Sequence, residues 1–130
     1  MSRLLVLGLA AAFAFSAGET HASPLDYYRG KARPVIVFGS EDNNAFRQQV
    51  AIFNRALTGF RERDIVFIPV LNHGKRQDLW GAYSVEPDSF EVLLVGKDGS
   101  VKFRTREVVS PEEIFRLVDA MPMRREEMRH

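Results

Sequence analysis

Two short, continuous apolar runs do most to limit what this chain can fold into. "PVIVF" (34–38) and "DIVFIPVL" (64–71) are β-branched and uninterrupted by charge after their first residue, the pattern of strands covered on both faces. Between them Phe46, Val50, Phe53 and Leu57 recur at spacings of four, three and four, one apolar stripe on a helix. Asp42, Asn43 or Asn44 can cap its first turn, and Gly59 is placed to end it. Strand, amphipathic helix and strand make a βαβ unit, which requires parallel strands and a right-handed crossover.

The rest of the chain supplies partners for that unit. "SPLDYYRGKAR" (23–33) is a polar lead-in with Tyr27 and Tyr28 available for packing. "NHGKR" (72–76) reads as a turn, and "QDLWGAYSV" (77–85) as a short helix with Leu79, Trp80 and Tyr83 facing inward. "FEVLLVGKDGSVKFRT" (90–105) is a hairpin, with Asp98-Gly99 expected to supply the positive φ angles of a tight turn. Its second arm alternates Val101 and Phe103 with Lys102 and Arg104, as a half-exposed edge strand does. Ser110, Pro111 and Glu113 spell a capping box, followed by Ile114, Phe115, Val118 and Met121 as a buried face. Pro122 is expected to end that helix, leaving residues 123–130 as a charged tail, solvated or else forming one further helical turn.

Residues 1–22 read as a cleavable signal. Arg3 precedes an apolar run over 4–15, and "THA" (20–22) offers small residues for cleavage after Ala22, with Ala17 as an alternative. The run is shorter than the ~20 residues that a membrane-spanning helix needs. The expected setting is therefore periplasmic or secreted. The chain of 130 residues contains no cysteine, so neither disulfides nor thiol chemistry are available to it in that setting. With 45% hydrophobic residues it can build one ordinary core, expected over 23–122. A net charge of +1 and the lack of a basic stripe interleaved with aromatics argue against nucleic acid as a partner.

The phrases "RPVIVF", "RERDIVF", "LLVGKDGSVKFR" and "VDAMPMRREEM" together resemble the domain of unknown function 4174 family over about residues 24–128. That family is thioredoxin-like and occurs in exported bacterial proteins. Similar domains occur in extracellular proteins of the sushi-repeat-containing and coiled-coil-domain-containing 80 types. The resemblance implies an α/β fold, a single thioredoxin-like domain with β-α-β then β-β-α around a four-stranded mixed sheet. The βαβ strands are expected at its centre and the hairpin at one edge. The resemblance brings no established reaction, cofactor or catalytic residue. Thioredoxins keep a reactive dithiol after their first βαβ strand and a proline at the start of the third strand. Here Ser40 to Asn43 replace the dithiol, and Glu91 stands near the proline position.

Ligands of open α/β sheets favour the crevice beyond the carboxyl ends of parallel strands. Three loops should gather there, bringing Ser40, Glu41, Asp42, Asn43, His73, Lys75, Arg76 and Glu91 into one neighbourhood. Neighbouring carboxylates there suit acid–base work or a hard cation. The plainer alternative is a helix cap at Asp42 or Asn43 with solvated neighbours. No metal or other cofactor is expected, since His73 has no partner at ligand spacing and His21 and His130 lie in the terminal segments. Ser40 lacks the G-x-S-x-G setting of an activated nucleophile. Lys97, Lys102, Arg104 and Arg106 read as protection of an edge strand, or else as a surface for an anionic partner. Met121, Met123 and Met128 read as gap-fillers, or else as a soft groove. The expected function is a non-redox binding or interaction module of the cell envelope, with an unidentified protein or small molecule as partner. The alternative is a non-thiol enzyme, or a small-ligand or cation site, built on those loops.

Overall fold

Strand β1 (Arg33–Gly39) is buried along its whole length and sits between two neighbours, as the apolar run over residues 34–38 demands. A computed structural model describes residues 23–130, and the expected signal over 1–22 lies outside them. Strand β2 (Ile65–Leu71) pairs with β1 in parallel, with Val35 opposite Phe67 and Val37 opposite Pro69. Strand β3 (Glu91–Val95) runs antiparallel on the other side of β1, with Phe38 opposite Glu91. Strand β4 (Val101–Thr105) closes the hairpin, giving the mixed order β2-β1-β3-β4.

That order corrects one expectation. Only β1 of the βαβ pair is central, and β2 is an edge. Pro69 is the physical reason: it has no N–H for a second ladder and is exposed mid-strand, which is tolerated only at an edge. β1 and β3 are the strands buried throughout.

Helix α1 (Asn44–Asn54) is capped by Asn43, whose side chain accepts the Phe46 N–H at 2.8 Å. It buries Phe46, Gln49 and Phe53. Gln49 interrupts the apolar stripe because its amide answers both backbone groups of Val109, each at 2.8 Å, ahead of the last long helix. Leu57 belongs to a separate helix, α2 (Leu57–Glu62), so Gly59 lies inside α2 and does not stop α1. Its lack of a side chain serves packing: a Cβ there would stand 2.5 Å from the Phe115 ring. Helix α3 (Gln77–Ala82) buries Leu79 and Trp80, and the indole meets the Phe38 ring edge-on at 5.1 Å.

Alternate residues of the central strands face two cores. Val35, Val37, Val92 and Leu94 meet Phe53, Phe60, Ile114 and Val118 on one face. Ile36, Phe38 and Leu93 meet Leu79 and Trp80 on the other. The hairpin loop is longer than a two-residue turn. Gly96 N–H donates to the Ser100 carbonyl and Gly99 N–H to the Gly96 carbonyl, and only Gly99 takes positive φ, at 88°. The left-handed glycine closes the loop, and a bulge shifts the register between the Leu94 and Val95 pairings.

Helix α4 (Pro111–Asp119) starts where its cap predicts, with Ser110 accepting the Glu113 N–H at 3.2 Å. The Glu113 carboxylate turns to Arg116, so only half of the capping box forms. Residues 123–130, expected as a tail either solvated or forming one further helical turn, are mostly helical: α5 spans Pro122–Met128. Pro122 ends one helix and opens the next, with its fixed φ at the first helical position. No α5 residue is buried, so the helix is held by charge: Arg124 and Glu127, three residues apart, both turn toward the body.

Candidate functional site

The loops beyond β1 and β2 form an open depression of about 470 Å³ lined by Glu41, Asp42, Leu71, Asn72, His73 and Gly74. Tight local geometry shapes it. Asn43 is the α1 cap, Ser40 donates its hydroxyl to Asp42 at 2.8 Å, and Arg47 reaches back to the Glu41 carbonyl at 2.6 Å. His73 turns the β2–α3 loop with φ at 62°, a left-handed conformation uncommon outside glycine, though histidine adopts it more readily than most residues. The Asn72 amide donates to the Asp88 carboxylate. Glu41, Asp42 and His73 share the depression, but among the described residues no hydrogen bond or ion pair joins their side chains.

The other residues expected in that neighbourhood have separate surroundings. Lys75 is exposed, and Arg76 pairs with Asp78 at 3.2 Å on α3. Glu91 is only 5% exposed and does not line the depression. Its carboxylate accepts from Arg104 Nε at 2.6 Å, and Arg104 in turn donates to the Tyr83 carbonyl at 2.8 Å. That chain of contacts ties the end of α3 to the outer strand. No group of three or more His, Cys, Asp and Glu side chains is placed to hold a metal ion among the described residues.

A second concave feature lies at the opposite end of the sheet, roughly 20 Å away along a seven-residue strand. It is a hollow of about 400 Å³ between the β3–β4 hairpin, the end of α4 and the start of α5. Arg33, Lys97, Lys102, Leu117, Met121 and Met123 line it. Beside it, Glu127 accepts from Arg33 Nη2 at 3.0 Å and from Lys97 Nζ at 2.7 Å. Lys97 also reaches Asp64 at 2.8 Å, and Arg33 Nη1 donates to the Arg63 carbonyl at 2.7 Å. Asp119 accepts from both Arg63 and Arg124, at 3.0 and 3.1 Å.

The electrostatics follow from this pairing. Partial burial pushes the Glu127 carboxyl up, but hydrogen bonds from Lys97 and Arg33 outweigh it and hold it below the usual carboxylate range. Asp119 is depressed in the same way, burial being outweighed by Arg63 and Arg124. Burial alone would lower Lys97, yet Asp64 and Glu127 raise it.

The sequence marked Lys97 and Lys102 as a surface for an anionic partner and Met121 and Met123 as a soft groove, and all four line this hollow; what it missed is Arg33 and its pairing with Glu127. Arg33 reads as part of a polar lead-in, yet it begins β1 and is fully buried. Its signal was position: an arginine directly before a buried strand must carry its charge inward or be paired. The "RREE" stretch (124–127) was the matching signal, since acids and bases three residues apart present one face of a helix.

Comparison with known proteins agrees with this architecture. The thioredoxin peroxidase I of Plasmodium yoelii superposes with a TM-score of 0.62 at 17% identity, covering 78% of this chain and 79% of that one. The reduced desulfothioredoxin of Desulfovibrio vulgaris Hildenborough gives 0.55 at 15% identity, covering 78% and 93%. A secreted disulfide oxidoreductase of Mycobacterium tuberculosis gives 0.51 at 14%, covering 73% and 85%. At such identities the likeness is one of fold, and the fold is thioredoxin-like. Residues 24–127 match the sequence model of the domain of unknown function (DUF4174), and the chain belongs to that family.

Proposed function

We propose that the protein is an exported, non-redox binding module of the cell envelope. The observation that carries the reading is the about 400 Å³ hollow at the hairpin end, walled largely by carbon and edged by cations, in a chain with no cysteine. Concave, mainly apolar sites with a few convergent polar groups are where small ligands bind. The loop after β1, where thioredoxins keep their dithiol, supports the non-redox half. Asn43 caps α1 there and Ser40 bonds Asp42, so these groups stabilise the helix start. Export rests on the charged-then-apolar start of the chain and the small residues before Ser23.

A thermal-shift screen against metabolites, anions and metal ions tests the binding role. A ligand present at 100 times its Kd stabilises the native state by about 2.7 kcal/mol, a readily seen shift. A screen in which no compound class raises the melting temperature sinks the reading. N-terminal sequencing of the protein from the cell envelope or the medium tests export, with Ser23 expected as first residue. A retained Met1 refutes it.

The depression holding Glu41, Asp42 and His73 favours a second reading, a small-ligand or cation site at the loop edge. Calcium or magnesium titration of the protein and of Glu41→Gln/Asp42→Asn separates the two. Saturable stabilisation of the protein that the double variant loses belongs to the loop edge.

A further inference from the structure

The hairpin-end hollow brings apolar walls and cationic side chains together. Its walls are apolar where Leu117, Met121, Pro122 and Met123 contribute. Three cationic side chains, Arg33, Lys97 and Lys102, reach the same lining against one acid, Asp98. The Arg33 side chain is 1% exposed, and its Nε–H is buried with no hydrogen-bond partner. A buried donor without an acceptor is costly, and an acceptor brought to it removes that cost. The neighbouring guanidinium nitrogens already show what suits this corner: they and Lys97 bind the Glu127 carboxylate. Lys102 is held only by an exposed pair with Asp98 four residues away, a contact weak enough to exchange for a ligand.

From these contacts the geometry points to a binding site for a small apolar monocarboxylate. Its hydrocarbon body lies against Leu117, Met121 and Met123, and its carboxylate lies at Lys102, on the side of the lining that Arg33 and Lys97 make positive. The assignment rests on the binding-module reading above and names the ligand class. A carboxylate suits the site better than a phosphate, because a dianion loses more hydration in a carbon-walled hollow than these partly neutralised cations return.

Octanoate is the probe, titrated into the purified protein and followed through the methionine methyl resonances, with 1-octanol and octyl phosphate as comparisons. Saturable shifts are expected at Met121 and Met123, with Met128 unmoved, and octanoate should bind about tenfold more tightly than 1-octanol. Lys102→Gln should weaken octanoate severalfold and leave 1-octanol unchanged. Met123→Asp, at a position 47% exposed and so tolerant of change, should repel octanoate from the hollow. Equal binding of octanoate and octanol, tighter binding of octyl phosphate, or no saturable shift at Met121 and Met123 overturns the assignment. If the thermal screen finds another ligand while octanoate fails, the assignment falls and the binding-module reading stands. If both are silent, both fall.

Discussion

The two ends of the β1–β2 pair treat polar groups in opposite ways. At the loop end, the contacts around the start of α1 are local, Ser40 to Asp42, Asn43 to Phe46 and Arg47 to the Glu41 carbonyl, and the longer reaches, Asn72 to Asp88 and Glu91 to Arg104, span no more than sixteen residues. At the hairpin end, partners come from distant parts of the chain: Arg33 meets Glu127, Lys97 meets Asp64, and Arg63 meets Asp119. The first arrangement shapes one helix start. The second locks a terminal helix, a hairpin loop and the head of the central strand into one unit. Long-range charge coupling is concentrated at the hairpin end.

The sharpest way to break this contrast is to remove the carboxylate at the centre of the hairpin end. Glu127→Ala leaves a buried guanidinium without its counter-charge, and should cost about 3 kcal/mol by urea denaturation, the low end for such a loss because Glu127 is 27% exposed. A loss below about 1 kcal/mol would mean that the network is ornamental, as exposed pairs usually are.

Acid should erase part of the same contrast. The Glu127 and Asp119 carboxyls titrate below their unfolded values, so their contribution is present above the ordinary carboxylate range and fades as pH falls through it. The stability gap between the protein and Glu127→Ala should therefore be full at neutral pH and shrink below about pH 4. An undiminished gap at pH 3 would assign the effect to packing and not to charge.

At the loop end the effects should be smaller. Asn43→Ala removes the α1 cap and should cost about 1 kcal/mol, with the melting transition remaining cooperative. His73→Gly relieves a left-handed backbone and should leave stability unchanged or raise it by about 0.5 kcal/mol. A large loss from His73→Gly would show that the imidazole has a structural partner at this end and would blur the distinction between the two ends.

The parts of the fold legible in advance were those governed by local rules. Asn43 and Ser110 cap because a short side-chain acceptor before a helix can answer a free N–H three residues on. The parallel pairing of β1 and β2 follows from the helix that joins them. The edge position of β2 was legible too, through Pro69, but the apolar composition of its run outweighed that signal. The depression with Glu41, Asp42 and His73 followed from topology alone. The placement of Glu91 did not, because its rotamer is set by Arg104 on a strand thirteen residues later.

By itself the sequence determined the βαβ core, the starts of α1 and α4, the hairpin and the lack of cysteine, all of which depend on residue type and near-neighbour spacing. Only the tertiary structure decided that β2 is an edge, that residues 122–128 are a docked helix, and that Arg33 is buried against Glu127. The physical reason is range. A cap or a turn is satisfied within a few residues, whereas a charge 94 positions from its partner gains a counter-ion only after the chain between them has folded.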